Sequence, residues 1–414
     1  MRISRRNFVA YSSGILCSFI PFFSTQAKFL KRKYNPQDRL LCQPDEQRVV
    51  VIIHLAGGND WLNTVIPYRD AGYYDQRPNL AISPQAVLKL DDKLAFHPAL
   101  SGLKGLYDRK DLAVLLNVGN AKTSLSHQKA NKLWQYGDES CDITWQGRYA
   151  DFIAKNERVP MIFPAINVQP GFCDTDSSTE QIEYFPKSKD KIVISSLSAD
   201  NNFEFNLDVH YKLTSSGCGN SSYGSSNHEL AKLTDVVLKP ALTDRNVYHK
   251  YCGFAHGMNL IGKAIKEGTN ATIYNISLGG FDTHANQLFK HAALLNMLSK
   301  AVADFQNDME RSGLADKVLT LVCSEFGRSQ QENNNLGTDH GYINHVLAIG
   351  NSVNGGIYGN RSLSGYSYNK YGQFNNSPKY DFDYRQLPAT ILDRWLSYPS
   401  EVIMGRSFAA ISFI

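Results

Sequence analysis

The sequence of 414 residues has little of several features that would fix its function class at once. It has no internal repeat, which argues against a solenoid or propeller architecture. It has no strong charge excess: the formal net charge is +4, and about +1 without the three arginines of its leader, so nothing suggests a nucleic-acid partner. It also lacks an apolar run long enough for a stable membrane span. The 43% hydrophobic content is that of a globular protein.

Cysteines are few, and their spacing fits no zinc module. One of the seven, Cys17, lies in the leader, and the remaining six would be free to pair only outside the cytoplasm. Cys323 lies inside an apolar run and is expected to be a buried thiol. We therefore expect one or two disulfides at most.

The N-terminus resembles an export signal. Ser4–Val9 reads S-R-R-N-F-V, which matches the twin-arginine pattern, and Phe8–Phe23 is a short, moderately apolar segment. Thr25–Ala27 offers small residues for cleavage. We predict a signal peptide over residues 1–27, a linker over 28–47, and a periplasmic or secreted protein that meets the twin-arginine translocase during export. An uncleaved amphipathic anchor is the alternative.

Two apolar runs in the remaining chain end in polar, ligand-like residues. Arg48–Leu55 is followed by two glycines and Asp60, and Ala271–Leu278 is followed by Asp282 and His284. Runs that are hydrophobic almost throughout are typical of parallel strands covered on both faces, and open α/β sheets hold their sites at the carboxyl ends of such strands. The pattern predicts an α/β protein with a site at these strand ends.

A third run, Val318–Cys323, ends in the same way, with Glu325 and Arg328 just beyond it and Asp339 and His340 in a later turn. A single Asp-His pair in a loop is more often a solvated turn than a ligand. Because three runs end in carboxylates and two of them have a histidine nearby, a shared metal site is the better interpretation.

The run Leu112–Val118 leads through a polar loop into a predicted helix that extends to Tyr136. Ser124, Ser126 and His127 lie where this helix begins. Unpaired N–H groups and the positive end of the helix dipole favour an anion at this position. A serine here is most often only a helix cap, but a capping serine can also be a nucleophile.

The rest of the chain is predicted to complete one domain over residues 48–414. Residues from about 169 to 227 are rich in Ser, Asn, Asp, Gly and Tyr, which indicates a loop-rich insertion. Gln287–Gly313 is predicted to be a long amphipathic helix, and Asp383 to open a final helix through Leu396.

The motifs occur in an order that resembles a known family. They are the twin-arginine leader, Gly57-Gly58-Asn59-Asp60, Ser126-His127, Gly279-Gly280-Phe281-Asp282-Thr283-His284, Ser324-Glu325-Phe326-Gly327-Arg328, Gly337-Thr338-Asp339-His340-Gly341 and Asp383-Tyr384-Arg385-Gln386. From about Val49 to Leu396, the chain resembles a large bacterial family of exported proteins of unknown function that is similar to the alkaline phosphatase and sulfatase superfamily.

This resemblance implies a doubly wound, mostly parallel sheet with helices on both faces and loop-rich insertions. It also implies metal ions at the strand ends and a nucleophile at a helix start. The metal candidates are Asp60, Asp282, His284, Glu325, Asp339 and His340. The catalytic candidates are Ser126 as nucleophile, His127 beside it, and Lys122 and Arg328 as cations for an anionic group.

One departure from the superfamily pattern affects the expected stoichiometry. Phe326 stands where superfamily members carry a metal-binding histidine, and a phenyl ring cannot ligate. We therefore expect one tightly bound divalent ion centred on Asp282, His284 and His340, with Asp60 and Glu325 as weak or outer-shell ligands. Imidazole with carboxylate favours Zn²⁺ or Mn²⁺ over Ca²⁺.

The leading functional interpretation is a metal-dependent hydrolase of phosphate or sulfate esters whose partner is an anionic ester or a glycan. Two alternatives stay open at this stage. One is a catalytically degenerate, metal-stabilised binding protein for a surface polymer or glycan, and the other is an envelope assembly factor without a small-molecule site.

Overall fold

The computed structural model describes residues 48–120, 124–137, 141, 143–156, 253–268, 271–361 and 380–414, together with the backbone of three strands at 163–169, 191–197 and 204–210. The predicted leader and linker, Lys122 and most of the predicted insertion lie outside the described residues.

The elements alternate between strands and helices along the chain. The strands are β1 (Val49–Leu55), β2 (Val65–Ile66), β3 (Leu88–Lys89), β4 (Ala95–Phe96), β5 (Leu112–Gly119), β6 (Phe163–Gln169), β7 (Lys191–Leu197), β8 (Glu204–His210), β9 (Ala271–Leu278), β10 (Val318–Cys323), β11 (Gly327–Glu332), β12 (Thr338–Gly341), β13 (Asn344–Ile349), β14 (Gly356–Tyr358) and β15 (Phe382–Asp383). The α-helices are α1 (Ala71–Gln76), α2 (Ser101–Asp108), α3 (His127–Tyr136), α4 (Trp145–Asn156), α5 (Gly253–Lys266), α6 (Gln287–Arg311), α7 (Gln386–Thr390) and α8 (Ser400–Met404).

The main sheet has the order β14-β5-β13-β10-β1-β9-β6-β8-β7, and β15 pairs with β5. Its centre, β10-β1-β9-β6, is parallel, whereas β13 and β8 pair with their neighbours in the antiparallel sense. Ile53 of β1 is in register with Val322 of β10 and Ile276 of β9. The carboxyl ends of these three strands therefore meet at one edge of the sheet.

Two hydrophobic cores cover the two faces of this sheet. Val51 and Ile53 of β1 belong to the core that includes residues of α2, α5 and α6, while Val50 belongs to the core with residues of α3, α4 and α7. The alternation of side chains along a strand sends neighbours to opposite faces, and burial of a Val, Ile or Leu side chain contributes about 1.5–3 kcal/mol. Helices on both faces of a mostly parallel central sheet confirm the predicted α/β fold class.

Several local predictions have definite outcomes. The long helix is confirmed as α6, and Cys323 is confirmed as a buried free thiol. The final helix was predicted too early, because Asp383 lies in β15, which pairs with Gly119, and α7 begins only at Gln386. A π-helical turn over Ile391–Trp395 follows it. In the part of the chain that the structure describes, no helix combines the length and apolarity needed to cross a membrane.

Candidate functional site

The ends of β1, β9 and β10 approach each other closely because glycines follow β1. Gly57 has a φ of 114°, a left-handed conformation that favours glycine, and a β-carbon there would collide with the backbone nitrogen of Asp282. A β-carbon on Gly58 would collide with the ring of Phe326. The two glycines therefore let the loops after β9 and β10 pack directly on the end of β1.

A cluster of three histidines surrounds Asp282, and we call Asp282, His127, His284 and His340 the Asp282 cluster. The Nε2 atoms of His284 and His340 lie 3.0 Å and 3.3 Å from Asp282 Oδ1, and His127 Nε2 lies 3.6 Å from Asp282 Oδ2. The Nε2 atoms of His284 and His340 face each other at 3.0 Å. Ligand atoms of His127, Asp282 and His340 all lie within 4.8 Å of one another, a spacing suited to one metal ion.

Hydrogen bonds on the far side of two rings fix which nitrogen faces Asp282. His340 Nδ1 donates to the carbonyl of Leu125 at 2.7 Å, so the neutral ring presents an unprotonated Nε2. His127 Nδ1 donates to Glu325 Oε1 at 2.7 Å. This leaves His127 Nε2 buried and without a hydrogen-bond partner. A histidine whose Nδ1 is held by a carboxylate, and whose Nε2 has no hydrogen bond and lies near other metal-binding atoms, has the arrangement of a metal ligand.

The charges within the cluster are strongly coupled. Burial disfavours the imidazolium of His127, but Asp282 and Glu325 outweigh burial and raise the pKa of His127 to about 9. Burial alone would raise the pKa of Asp282, yet the nearby imidazoles of His127 and His340 and the charge of Arg328 hold that pKa far below its usual range. The pKa of His284 is lowered, first by burial and then by Arg328. Asp282 is therefore ionised, and without a metal a proton resides on His127 at neutral pH.

Arg328 joins the three loops rather than facing solvent. Its guanidinium is fully buried and donates to the carbonyls of Gly58 at 2.7 Å, Thr338 at 3.0 Å and Phe281 at 3.0 Å, as well as to Gly57 and Asp282. With these donors engaged, Arg328 is placed to position Asp282.

Glu325 lies on the inner side of the cluster, almost completely buried. Besides His127, its carboxylate accepts from the backbone N–H of Gly57 at 2.8 Å and from Ser324 Oγ at 3.0 Å. Burial would raise the pKa of Glu325, but the hydrogen bond from His127 and the charges of His127 and His54 lower it. Glu325 therefore contacts the Asp282 cluster through its hydrogen bond with His127.

Asp60 lies in a different environment. It is buried and forms an ion pair with Arg77 at 2.6 Å, and Gln287 also donates to it. Arg77 in turn donates to the carbonyls of Ser329 and Gln330 at 2.7 Å each. Burial would raise the pKa of Asp60, but Arg77 outweighs it and lowers that pKa. This pair was not predicted from the sequence, because Arg77 lies in a stretch without a recognisable motif.

The remaining candidates lie at the rim. Asp339 is exposed, with Oδ1 3.4 Å from His284 Nδ1. Ser126 occupies the N-cap position of α3 but makes no side-chain capping hydrogen bond, and it is exposed. It stands between Leu125, whose carbonyl holds His340, and His127. The start of α3 therefore contributes to the same site as the ends of β9 and β10.

The rings of His127 and His340 pack against Phe326, with centroids 4.8 Å and 4.7 Å from that ring. The phenyl group forms an apolar wall that limits where these imidazoles can turn. Phe326 therefore supplies packing to the cluster and no metal-binding atom.

Comparison with known proteins places part of the chain in context. A family described as "Protein of unknown function (DUF1501)" matches residues 230–398, a span that includes Asp282, His284 and His340 but not Asp60 or His127. No curated protein matches the chain.

Three solved structures illustrate the structural neighbours. The first belongs to a Bacteroides thetaiotaomicron genetic locus for the metabolism of glycosaminoglycans, with 8% identity, a TM-score of 0.40, and coverage of 89% of this chain and 77% of that chain. A Vibrio parahaemolyticus protein of the alkaline phosphatase superfamily has 9% identity, a TM-score of 0.37, and coverage of 88% and 71%. The zinc complex of the C-terminal periplasmic domain of EcEptC from Escherichia coli has 9% identity, a TM-score of 0.30, and coverage of 74% of each chain.

Proposed function

We propose that the protein is an exported, metal-dependent hydrolase of phosphate or sulfate esters. The observation that carries this proposal is the Asp282 cluster itself. It brings the carboxylate of Asp282 together with His127 and His340 at a spacing suited to one metal ion, and with His284 at 3.0 Å, beside the start of α3; His127 Nε2 is buried without a hydrogen-bond partner.

The residues that would hold the metal are Asp282, His127, His284 and His340. One carboxylate with three imidazoles favours Zn²⁺ or Mn²⁺ over Ca²⁺. A divalent ion bound here supplies Lewis-acid stabilisation of charge on an ester oxygen. Because Arg77 satisfies Asp60, and Glu325 is engaged with Gly57, Ser324 and His127, we favour one tightly bound ion over two.

The other residues of the site have distinct roles in this proposal. Ser126 is the nucleophile: its Oγ would form a bond to phosphorus or sulfur as the bond to the alcohol oxygen breaks, and water would later cleave the Ser126 ester. The N–H groups at the start of α3 would bind the anionic oxygens. Arg328 holds Asp282 in place, Glu325 orients His127, and Lys122 is proposed as a further cation for the anion.

The decisive experiment combines metal content with turnover. Protein purified from its exported form should contain close to one Zn or Mn per chain by elemental analysis and should hydrolyse an aryl phosphate or aryl sulfate. Ser126→Ala should lower the rate at least about a hundredfold with the metal retained, because covalent catalysis is lost. Ser124→Ala is the matched control. Metal without any turnover would favour the glycan-binding alternative, and no metal would overturn both.

The export route is part of the same proposal and has its own test. Ser4–Val9 supports the twin-arginine pathway. Replacing Arg5 and Arg6 together with Lys should leave the precursor in the cytoplasm. An unchanged yield outside the cytoplasm would contradict this route.

A further inference from the structure

One residue of β1 interrupts an otherwise apolar strand face. Val50 and Ile52 point to the core that contains α4 and α7, and His54 is the next residue on that face. His54 is in register with Cys323 of β10, and Glu325 follows two residues later. The side chain of His54 therefore lies beside Glu325, the residue that orients His127.

Glu325 lies between two imidazoles. Its Oε1 accepts from His127 Nδ1 at 2.7 Å, whereas its Oε2 lies 3.4 Å from His54 Nε2. The carboxylate is fully buried, and its further partners are the N–H of Gly57 and the hydroxyl of Ser324. His127 thus contacts one oxygen of Glu325 and His54 lies near the other. A chain of contacts runs from β1 through Glu325 to the Asp282 cluster.

We propose that His54 is a positioning residue that acts through Glu325 to hold His127 as a metal ligand. The proposal rests on the metal-dependent function proposed above. Glu325 orients the His127 ring through Nδ1, so a group that holds the buried carboxylate also holds that imidazole. His54 Nε2, which lies 3.4 Å from the second carboxylate oxygen, is placed to do this. Loss of a group that orients a metal ligand typically lowers metal affinity about 10–100-fold, and His54 would act one contact further out, so we expect an effect at the lower end of that range.

The test is metal affinity, measured on the mature protein without any reference to turnover. Isothermal titration with Mn²⁺, and chelator competition with Zn²⁺, give the Kd of the parent, His54→Phe and His54→Gln. His54→Phe keeps a ring but removes the nitrogen and should weaken binding about tenfold. His54→Gln retains an amide donor and should restore most of the affinity. His256→Phe, which changes a half-buried histidine on α5, is the matched control and should bind like the parent.

A double-variant cycle separates action through Glu325 from a general packing effect. In a Glu325→Gln background, His54→Phe should weaken Mn²⁺ binding no further. Additive losses would overturn the inference, as would an unchanged Kd for His54→Phe in a parent that binds metal; in either case the proposed function stands. A parent that binds neither ion overturns both. If His54→Phe does not fold, His54→Leu, which also lacks a nitrogen but is smaller, is subject to the same expectation.

Discussion

Two aspartates that follow neighbouring strands of one sheet have opposite surroundings. Asp60, after β1, has a side chain only 1% exposed and is paired with Arg77. Asp282, after β9, is 43% exposed and is surrounded by imidazoles. Burial opposes ionisation of both, yet their partners lower the pKa of each below its ordinary value.

The difference between the partners decides what each aspartate can do. A guanidinium has donors but no lone pair, and it stays charged, so Arg77 satisfies Asp60 permanently. A neutral imidazole carries a lone pair that can bind a metal ion. The histidines around Asp282 can therefore bind a metal, and the metal would then balance the negative charge of Asp282 in place of a protonated histidine. We infer that the Asp60 region stabilises the loops and that the Asp282 cluster is available for chemistry.

The largest expected effect comes from breaking the buried pair. Arg77→Met leaves Asp60 as an uncompensated buried charge, so we expect the free energy of unfolding to fall by about 3–5 kcal/mol. Urea unfolding followed by circular dichroism measures it.

Arg109→Met is the matched control for this variant, because Arg109 pairs with Asp111 and Glu310 at the surface. Exposed pairs contribute about 0–1 kcal/mol, so this variant should unfold nearly like the parent. Equal losses from both substitutions would show that the Asp60 region is not the stabilising part of the site.

The second prediction concerns metal-linked stability. A ligand present at 100 times its Kd stabilises the folded state by about 2.7 kcal/mol, so adding Mn²⁺ or Zn²⁺ should raise the melting temperature of the parent. Asp282→Asn and His340→Ala should abolish this shift with the metal-free protein still folded. Asp108→Asn, which changes an exposed carboxylate of α2, should leave the shift unchanged. A shift that persists in Asp282→Asn would place the metal elsewhere.

Much of this arrangement was predictable from sequence because it depends on local pattern. Apolar runs fix strands, and strands of one parallel sheet bring their carboxyl ends together, so the approach of Asp282, Glu325 and His340 follows from three short motifs. The uninterrupted spacing of apolar residues likewise predicted α6.

The partners that separate the two aspartates were not predictable in the same way. Arg77 lies 17 positions from Asp60, but the carbonyls of Ser329 and Gln330 that it also binds lie 252 and 253 positions away. His54 lies within an apolar run, where a lone histidine is most often a packing residue. Their roles depend on strand order and register, which no local motif contains. Only one signal was available: both residues carry ionisable groups within otherwise unremarkable segments.

The third prediction is that the two regions respond to pH in opposite directions in the metal-free protein. His291 forms a hydrogen bond with Asn59, next to Asp60. Burial outweighs the charge of Asp60 and lowers the pKa of His291 to about 3. The unfolded state therefore takes up this proton first, and stability falls as the pH drops below about 6.5 towards 3. His127 is the reverse case: its folded pKa of about 9 gives stability that is complete below about 6.5 and is lost as the pH rises through 9.

Each proton changes the free energy of unfolding by at most about 1.4 kcal/mol per pH unit. Urea unfolding at pH 4.5, 6.5 and 8.5 measures both slopes. His127→Gln should reduce the loss between pH 6.5 and 8.5, and His291→Gln should reduce the loss between 6.5 and 4.5. If His127→Gln changed the stability only below pH 6.5, or His291→Gln only above it, the loss of stability in that pH range would not be due to that histidine.

The smallest expected effect is at the rim. Asp339 follows the start of β12 and its side chain is 69% exposed, with a 3.4 Å contact to His284 Nδ1. Solvent screens this contact, and an exposed pair of this kind contributes about 0–1 kcal/mol. Asp339→Asn should therefore weaken Mn²⁺ binding by less than about fivefold, since 1 kcal/mol corresponds to that factor, and should leave the melting temperature of the metal-free protein unchanged. Titration calorimetry with His284→Ala as the comparison decides the point: loss of binding in His284→Ala with near-parent affinity in Asp339→Asn shows that Asp339 is not a metal ligand. If the two variants lose affinity equally, Asp339 is a ligand, and the exposed edge of the cluster binds the metal as tightly as its buried side.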